Sequence, residues 1–178
     1  MNYLFQLSNK TKKVKFIMKI LVMYYSQTGN TKKLAEAVSK GVQEVEGVTS
    51  VLKPVSEVTE EDFLSSDGII AGSPVYFGTM VSEMKEVFDK FVGIRRQMED
   101  KIGAAFATSG DDTGGKETTL MSIIQAMLIY GMIIVGDPMD ATGHYGIACK
   151  GTPDKKTMDN AAKLGRRVAT LAKKLKTT

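Results

Sequence analysis

The sequence has one cysteine, one histidine and no tryptophan among its 178 residues. A single cysteine, Cys149, excludes an internal disulfide framework and any iron–sulfur or metal site built from cysteines alone. Because His144 is the only histidine, the usual cysteine and histidine zinc sites cannot be assembled, and we predict no metal site. A serine hydrolase triad would have to use His144, and no nucleophile elbow lies beside it.

Long hydrophobic runs are also absent. The apolar runs fall far short of the roughly 18 residues that a membrane-spanning helix needs, so no membrane insertion is predicted. Residues 1–17 do not resemble a secretory signal, because their lysines follow the first apolar residues and no small-residue cleavage site is visible. We expect a cytoplasmic protein with a loose extension over residues 1–17 and one domain over residues 18–178. The alternative for the extension is a basic arm that touches an acidic partner or a membrane surface.

The net positive charge of the chain comes from its two ends. The formal net charge is +4, from 24 Lys and Arg against 20 Asp and Glu, yet residues 19–154 hold only 12 basic residues against 19 acidic ones. Four lysines precede residue 18, and eight basic residues follow residue 154. A nucleic-acid-binding stripe along the fold would need an excess of basic residues in the middle of the chain, where acidic residues instead predominate. Nucleic acid is therefore not an expected partner.

Apolar runs and helical periodicities alternate from residue 19 onward. The continuous apolar run at residues 20–25 predicts a strand that is buried on both faces. Further strands are predicted at residues 49–52, 68–71, 102–107 and 132–135. Apolar residues at helical spacing separate most of these strands, and a last amphipathic pattern covers residues 161–175. Residues 136–153 show little regular pattern and predict a long loop. The alternation favours a single α/β domain with a parallel sheet covered on both faces.

The loop after the first strand has the composition of a phosphate-binding loop. It is formed by Ser26, Gln27, Thr28, Gly29, Asn30 and Thr31. Hydroxyls, amides and a glycine stand at a predicted helix N-terminus, where free backbone N–H groups favour an anion. The loop matches neither the Walker pattern nor the dinucleotide pattern, so it suits a phosphate monoester held by neutral donors. The alternative is ordinary helix capping, which needs only one such residue.

Two further loops leave the same predicted sheet edge. Pro74, Val75, Tyr76, Phe77 and Gly78 follow the third strand, and the two adjacent aromatic residues can wall a flat pocket or hold the loop to the core. A polar, glycine-rich loop follows the fourth strand, and it could also be a plain surface loop. Its predicted binding residues are Thr108, Ser109, Gly110, Asp111, Thr113, Gly114 and Gly115.

The segments YYSQTGNT, GSPVYFGTM and TSGDDTGG, each placed after a strand, resemble the flavodoxin-like superfamily, which binds FMN. The resemblance covers nearly all of residues 19–175. It implies a doubly wound sandwich with a five-stranded parallel sheet in the order 2-1-3-4-5. It also implies that the first loop holds the FMN phosphate, that residues 75–78 flank the isoalloxazine ring, and that the third loop touches the other edge of the ring.

Within the superfamily, the chain is most similar to the NAD(P)H:quinone oxidoreductases related to the tryptophan-repressor-binding protein. The motifs that carry this similarity are FGTM, TGGKE, YGMIIV and HYG. Two candidate catalytic residues follow from it. Tyr130 stands where the family usually has a histidine, and it either approaches the flavin or is a buried residue at a helix end. His144 lies either near the flavin or substrate or at a surface or interface.

Two functional classes stay open at this point. The resemblance implies an FMN-dependent oxidoreductase that takes electrons from NAD(P)H and reduces a quinone-like acceptor. The alternative is an electron carrier between redox partner proteins, which would suit the acidic middle of the chain. A third class is a regulatory or scaffold protein with a vestigial site. The related enzymes also imply a homodimer or homotetramer. Cys149 is predicted to be an inert buried thiol rather than a redox centre.

Overall fold

The computed structural model describes residues 18–177. The predicted extension over residues 1–17 lies outside the described residues. The strands are β1 (Met18–Tyr24), β2 (Val48–Pro54), β3 (Gly68–Pro74), β4 (Ile102–Ser109), β5 (Ile133–Ile134) and β6 (Ile147–Lys150). The helices are α1 (Asn30–Gln43), α2 (Glu60–Ser65), α3 (Ser82–Lys90), α4 (Lys116–Ile129) and α5 (Lys155–Thr177). No helix in this range is long and apolar enough to cross a bilayer.

The sheet is parallel, and its strand order is β2-β1-β3-β4-β5. This confirms the order implied by the resemblance. The centre of β1 is fully buried from Ile20 to Met23, as expected for a strand that is covered on both faces. Because β1, β3 and β4 are neighbours and run in the same direction, the loops that follow them meet at one edge of the sheet.

Two apolar cores cover the two faces of the sheet. On one face, α1 and α5 pack over residues such as Val22 and Ile70. On the other face, α2, α3 and α4 pack over residues such as Met23 and Ile69. Consecutive strand residues alternate between the two cores because side chains of a strand point to opposite faces. Both faces therefore bury apolar surface, as the alternation of strands and helices predicted.

The fifth position of the sheet differs from the prediction. The apolar run at residues 132–135 contributes only two paired residues, which align with Ile102 and Gly103 at the start of β4. The other half of β4 pairs with a sixth strand, β6, through a register that begins at Phe106 and Ile147. Residues 136–153 were predicted as a loop without regular structure, and that prediction missed β6. The strand is four residues long and partly exposed, so its hydrophobic pattern is weak.

The short helix α2 was also missed by the periodicity. It starts with a capping box in which Thr59 accepts from the backbone N–H of Asp62, while the Asp62 carboxylate accepts from the backbone N–H of Thr59. The Asp62 carboxylate also accepts from Lys53, with an N–O distance of 2.8 Å. A helix of six residues is too short for a periodic pattern. Its sequence signal is the cap itself, a threonine followed three residues later by an acidic residue.

Candidate functional site

The three predicted loops lie side by side at the carboxyl edge of the sheet. The second and third loops are joined where the Val75 backbone N–H donates to the Thr108 carbonyl at 2.8 Å. The first and third loops are joined by the hydroxyls of Thr31 and Thr108, whose oxygens are 2.8 Å apart and buried. The structure therefore brings together three segments that are far apart in sequence. The edge where they meet is where open parallel sheets bind ligands.

The first loop ends in an open helix N-terminus. Gly29, the residue before α1, has a positive φ of 89° and provides no side-chain cap. Its own N–H donates to the Ser26 hydroxyl at 3.1 Å, and its carbonyl accepts from the Lys33 N–H. Among the described residues, no acceptor is recorded for the N–H groups of residues 30–32. The first turn of α1 contains no acidic residue, so this end of the helix suits a phosphate.

The side chains of the first loop have different roles. Thr31 is buried, so its hydroxyl fastens the loop to β4. Gln27 accepts a hydrogen bond from the hydroxyl of Tyr76 and thereby joins the first loop to the second. The Asn30 side-chain oxygen accepts from Thr152 at 3.1 Å. Thr28 is exposed. The backbone N–H groups, together with Ser26 and Thr28, are thus the donors nearest to an incoming anion.

The second loop forms a tight hairpin with an exposed aromatic tip. The backbones of Tyr76 and Thr79 exchange two hydrogen bonds, of 3.2 and 3.1 Å. Between them, Phe77 and Gly78 both have positive φ, at 50° and 77°, which corresponds to the two central residues of a type I′ turn. Phe77 is fully exposed. A positive φ is uncommon for phenylalanine, and such strain is often found in functional loops.

The third loop is organised by its own side chains. The Asp111 carboxylate accepts from the backbone N–H and the hydroxyl of Thr113, both at 2.9 Å. These two bonds lower the pKa of Asp111. Ser109 donates its hydroxyl to the Asp111 carbonyl at 2.6 Å. Gly115 precedes α4 with a φ of 99°, and a Cβ there would stand 2.8 Å from the Cα of Gly78. The second and third loops therefore touch through two glycines.

A fourth segment, missed in the sequence, completes this edge. It is the turn between β6 and α5, where Gly151 donates its N–H to the Ser109 carbonyl at 2.7 Å. Lys150 donates to Asp112 at 2.9 Å, and Thr152 reaches Asn30. The turn thus supports both the first and the third loop. Recognising β6 as a strand would have placed this turn here, because parallel strands end at the same edge.

Tyr130 is not brought to the loops. Its side chain is 3% exposed and its hydroxyl donates to the Phe88 carbonyl at 2.5 Å. The ring contacts Phe63 and Phe88. Burial, followed by the charge of Asp89, raises the pKa of Tyr130 to about 12. Since Tyr130 ends α4 beside the start of β4, it lies at the opposite edge of the sheet, as the buried helix-end alternative described.

His144 lies in the loop before β6, and its side chain is exposed. Its backbone N–H donates to the buried Asp137 at 2.9 Å, and Asp137 also accepts from Thr142 and Gly143. Burial opposes ionisation of Asp137, but the bonds from Thr142, His144 and Gly143 lower its pKa overall. Among the described residues, no hydrogen bond or ion pair joins the His144 side chain to the three loops.

Cys149 is a partly buried residue of β6. Burial, together with the negative charge of Asp154, raises the pKa of the Cys149 thiol to about 11. The thiol is therefore protonated at neutral pH, and the protonated form is a poor nucleophile. Among the described residues, no group of histidine, cysteine and acidic side chains is arranged to hold a metal ion.

Comparison with known proteins finds a matching family and several similar sequences. Residues 53–145 match the family described as NADPH-dependent FMN reductase. A protein of Aquifex aeolicus named flavodoxin is 39% identical over 158 residues, covering 85% of the chain and 85% of that protein. A protein of Archaeoglobus fulgidus named NAD(P)H dehydrogenase (quinone) is 36% identical over 189 residues, covering 88% of the chain and 98% of that protein.

Solved structures share the fold over most of the chain. A WrbA-like flavodoxin from Agrobacterium tumefaciens has a TM-score of 0.76 at 23% identity, covering 88% of the chain and 98% of that structure. A flavodoxin from the domain Archaea has a TM-score of 0.75 at 27% identity, covering 88% of the chain and 99% of that structure. The shared fold therefore covers most of the chain and nearly all of each of the two solved structures.

Proposed function

Because the chain belongs to the NADPH-dependent FMN reductase family of flavodoxin-like proteins, we propose that it binds FMN and is an oxidoreductase that passes electrons from NAD(P)H to a quinone-like acceptor. When bound, FMN supplies the hydride and electron transfer chemistry, while the protein supplies binding and orientation. The relatives named NAD(P)H dehydrogenase (quinone) support the donor and acceptor classes.

The observation that carries the proposal is the open N-terminus of α1. It offers backbone donors and no opposing carboxylate in its first turn, at the edge where the second and third loops also lie. We propose that Ser26, Thr28 and the backbone N–H groups of residues 30–32 bind the FMN phosphate. Tyr76 and Phe77 are proposed to flank the ring. The third loop, held in shape by Asp111, is proposed to provide backbone donors to its other edge.

Only one of the two candidate catalytic residues is kept in the proposal. Tyr130 is not part of this proposal, because its hydroxyl is bonded to Phe88 at the far edge of the sheet. His144 stays a predicted contact for the acceptor, because its side chain is exposed. The expected cytoplasmic location likewise stays part of the proposal. The variant His144→Ala, which lacks the imidazole, tests whether His144 contacts the acceptor. The measurement compares the KM of this variant for a soluble quinone with that of the unaltered protein.

An anaerobic titration tests the proposed activity directly. We expect the purified full chain to take up FMN and turn yellow, and we expect NADH or NADPH to bleach the bound flavin. Adding a soluble quinone should then restore the colour, because the acceptor reoxidises the flavin. A protein that stays colourless after incubation with FMN and desalting would contradict the FMN assignment. The quinone alone, added to oxidised protein, is the control.

The electron-carrier alternative is favoured by one specific observation. The relative named flavodoxin is 39% identical over most of both chains. For a carrier, the same titration would give a yellow protein that neither dinucleotide bleaches, although dithionite would reduce it. Both functions require FMN, so a yellow protein fits either of them. Whether NADH or NADPH bleaches the bound flavin separates the two functions.

A homo-oligomer is proposed from the related enzymes. Large apolar side chains are exposed at Phe77, Ile129 and Met139, and burying them against a second copy would remove apolar surface from water. We expect light scattering to give a mass that is a multiple of the 19.4 kDa of one chain. A mass of one chain at micromolar concentration would contradict this expectation. The Phe77→Ser variant should weaken the assembly if the hairpin tip lies in the interface.

A further inference from the structure

A cavity opens beside the first loop. We call it the β2 cavity, and it lies between the carboxyl ends of β1 and β2 and the helix α3. Its volume is about 580 Å³, which is within the range of small-molecule sites. Its wall includes Tyr25, Gln27 and Gly29 from the end of β1 and the loop that follows it, and Val55 and Ser56 from the segment after β2. None of its lining residues comes from the second or third loop.

The first loop lies between the β2 cavity and the rest of the proposed flavin site, and Ser26 and Gly29 of that loop also line the cavity. Gln27, which lines the cavity, accepts the hydrogen bond from Tyr76 of the second loop. The ring of Tyr25 meets the ring of Tyr76 edge-on, with centroids 6.5 Å apart. The β2 cavity is therefore about one aromatic ring away from the second loop, so a ligand longer than one ring system could occupy both places.

The lining of the β2 cavity combines apolar and aromatic surface. Val55 and Val58 come from the segment after β2, Val87 and Phe91 come from α3 and the residue that follows it, and Tyr25, whose ring is partly exposed, directly follows β1. A flat heterocycle buries well between aliphatic side chains and an aromatic ring. This part of the wall offers little to a strongly hydrated ligand, because its atoms cannot replace the hydrogen bonds to water.

Charged side chains of both signs surround that surface. Lys32 from α1 and Lys90 from α3 are the two cations, and Glu83 and Glu86 from α3 are the two anions. Among the described residues, neither Lys32 nor Glu86 has a recorded ion pair. Glu83 is close enough to raise the pKa of the Tyr25 hydroxyl. Lysine binds phosphate as a point charge, whereas a carboxylate accepts hydrogen bonds from ribose hydroxyls.

A flat heterocycle, a sugar with free hydroxyls and a phosphate are the parts of an adenine nucleotide. We propose that the β2 cavity is an adenine-nucleotide site, which takes the adenosine diphosphate end of the dinucleotide electron donor. The second half of this statement rests on the function proposed above. The nucleotide site itself rests only on the cavity, its lining and its charges.

The two carboxylates also make the site selective. A 2′-phosphate on the ribose would be repelled by Glu83 and Glu86, whereas free ribose hydroxyls can donate to them. We therefore infer a preference for NADH over NADPH of at least about tenfold in binding, which corresponds to about 1.4 kcal/mol. The variant Glu86→Gln should reduce this preference, because it keeps the hydrogen-bond acceptor and removes the charge.

The test is a calorimetric titration of the FMN-loaded full chain with ADP-ribose, which cannot reduce the flavin. We expect saturable binding that Lys90→Met weakens at least about fivefold, since one charged contact is worth on the order of 1 kcal/mol. Lys85→Met is the matched control: it removes a lysine of the same helix that does not line the cavity and that pairs with Asp89. The FMN content of each variant should be unchanged.

The outcomes separate the two proposals. If ADP-ribose does not bind at millimolar concentration while NADH bleaches the flavin, the nucleotide site is overturned and the function stands. If ADP-ribose binds and Lys90→Met weakens it, but neither dinucleotide bleaches the flavin, the function is overturned and the nucleotide site stands. Equal weakening by Lys85→Met and Lys90→Met would overturn the location. Equal affinity for ADP-ribose and its 2′-phosphorylated form would overturn the selectivity.

Discussion

Replacing Gly29 with aspartate should lower the affinity for FMN by about 100-fold or more. Gly29 precedes the open N-terminus of α1, and a Cβ there would meet no atom within 4 Å. An aspartate fits sterically and places a carboxylate where the phosphate is expected. Two like charges about 4 Å apart near a protein surface repel by about 4 kcal/mol, and each 1.4 kcal/mol is a factor of ten. Quenching of flavin fluorescence measures the affinity.

The matched control for this variant is Gly29→Asn. Asparagine has nearly the same shape and tolerates the positive φ of 89° about as well as aspartate does. Both variants therefore carry the same backbone strain, and the comparison isolates the charge. Riboflavin, which lacks the phosphate, should lose much less affinity than FMN in Gly29→Asp. Equal FMN affinities for the two variants would contradict the phosphate site.

The second large effect is expected on stability, in the variant Gly41→Ala. At this position α1 crosses α5 so closely that a Cβ would stand 1.8 Å from the Ala162 carbonyl oxygen. The neighbouring atom is backbone, so one helix would have to move. The mirror contact is at Gly165, where a Cβ would stand 2.0 Å from the Val38 carbonyl oxygen. We expect Gly41→Ala to lower the free energy of unfolding by about 3 kcal/mol or more.

Denaturant unfolding at a fixed FMN concentration measures this effect. Alanine favours a helix over glycine by about 1 kcal/mol, so the propensity change alone would stabilise the protein. The control is Gly93→Ala, because a Cβ at residue 93 meets nothing within 4 Å and the residue has no positive φ. We expect its midpoint to change little. A Gly41→Ala protein with an unchanged or higher midpoint would show that the two helices are not in tight contact.

The parts of the candidate site that the sequence predicted are local ones. Residues 26–31 carry their signal within a single strand-to-helix turn, since an open helix N-terminus needs only its own backbone and a glycine. Tyr76 and Phe77 were recognisable for the same reason, because a proline before them and a glycine after them mark a loop. The strand order came from the resemblance to a known superfamily, and the structure confirms it.

What the sequence missed depends on contacts between distant segments. The role of Tyr130 is decided by Phe88, 42 residues away, whose carbonyl takes its hydrogen bond. Nothing in the sequence indicated that the Gln27 oxygen accepts a hydrogen bond from Tyr76, 49 residues away. The strand β6 gained its place from pairing with β4 and not from its own pattern. Such pairings cannot be read from a local pattern, because each depends on how the whole sheet assembles.

The sequence alone therefore determined the alternation of strands and helices, the absence of a cysteine-based centre and the position of three polar loops after three strands. Each of these follows from hydrophobic periodicity, composition or local turn chemistry. Only the tertiary structure decided which side chains meet. It joined Thr31 to Thr108, directed Gln27 to Tyr76, kept Tyr130 in the aromatic core and opened the β2 cavity. Those contacts arise when parallel strands bring distant loops to one edge.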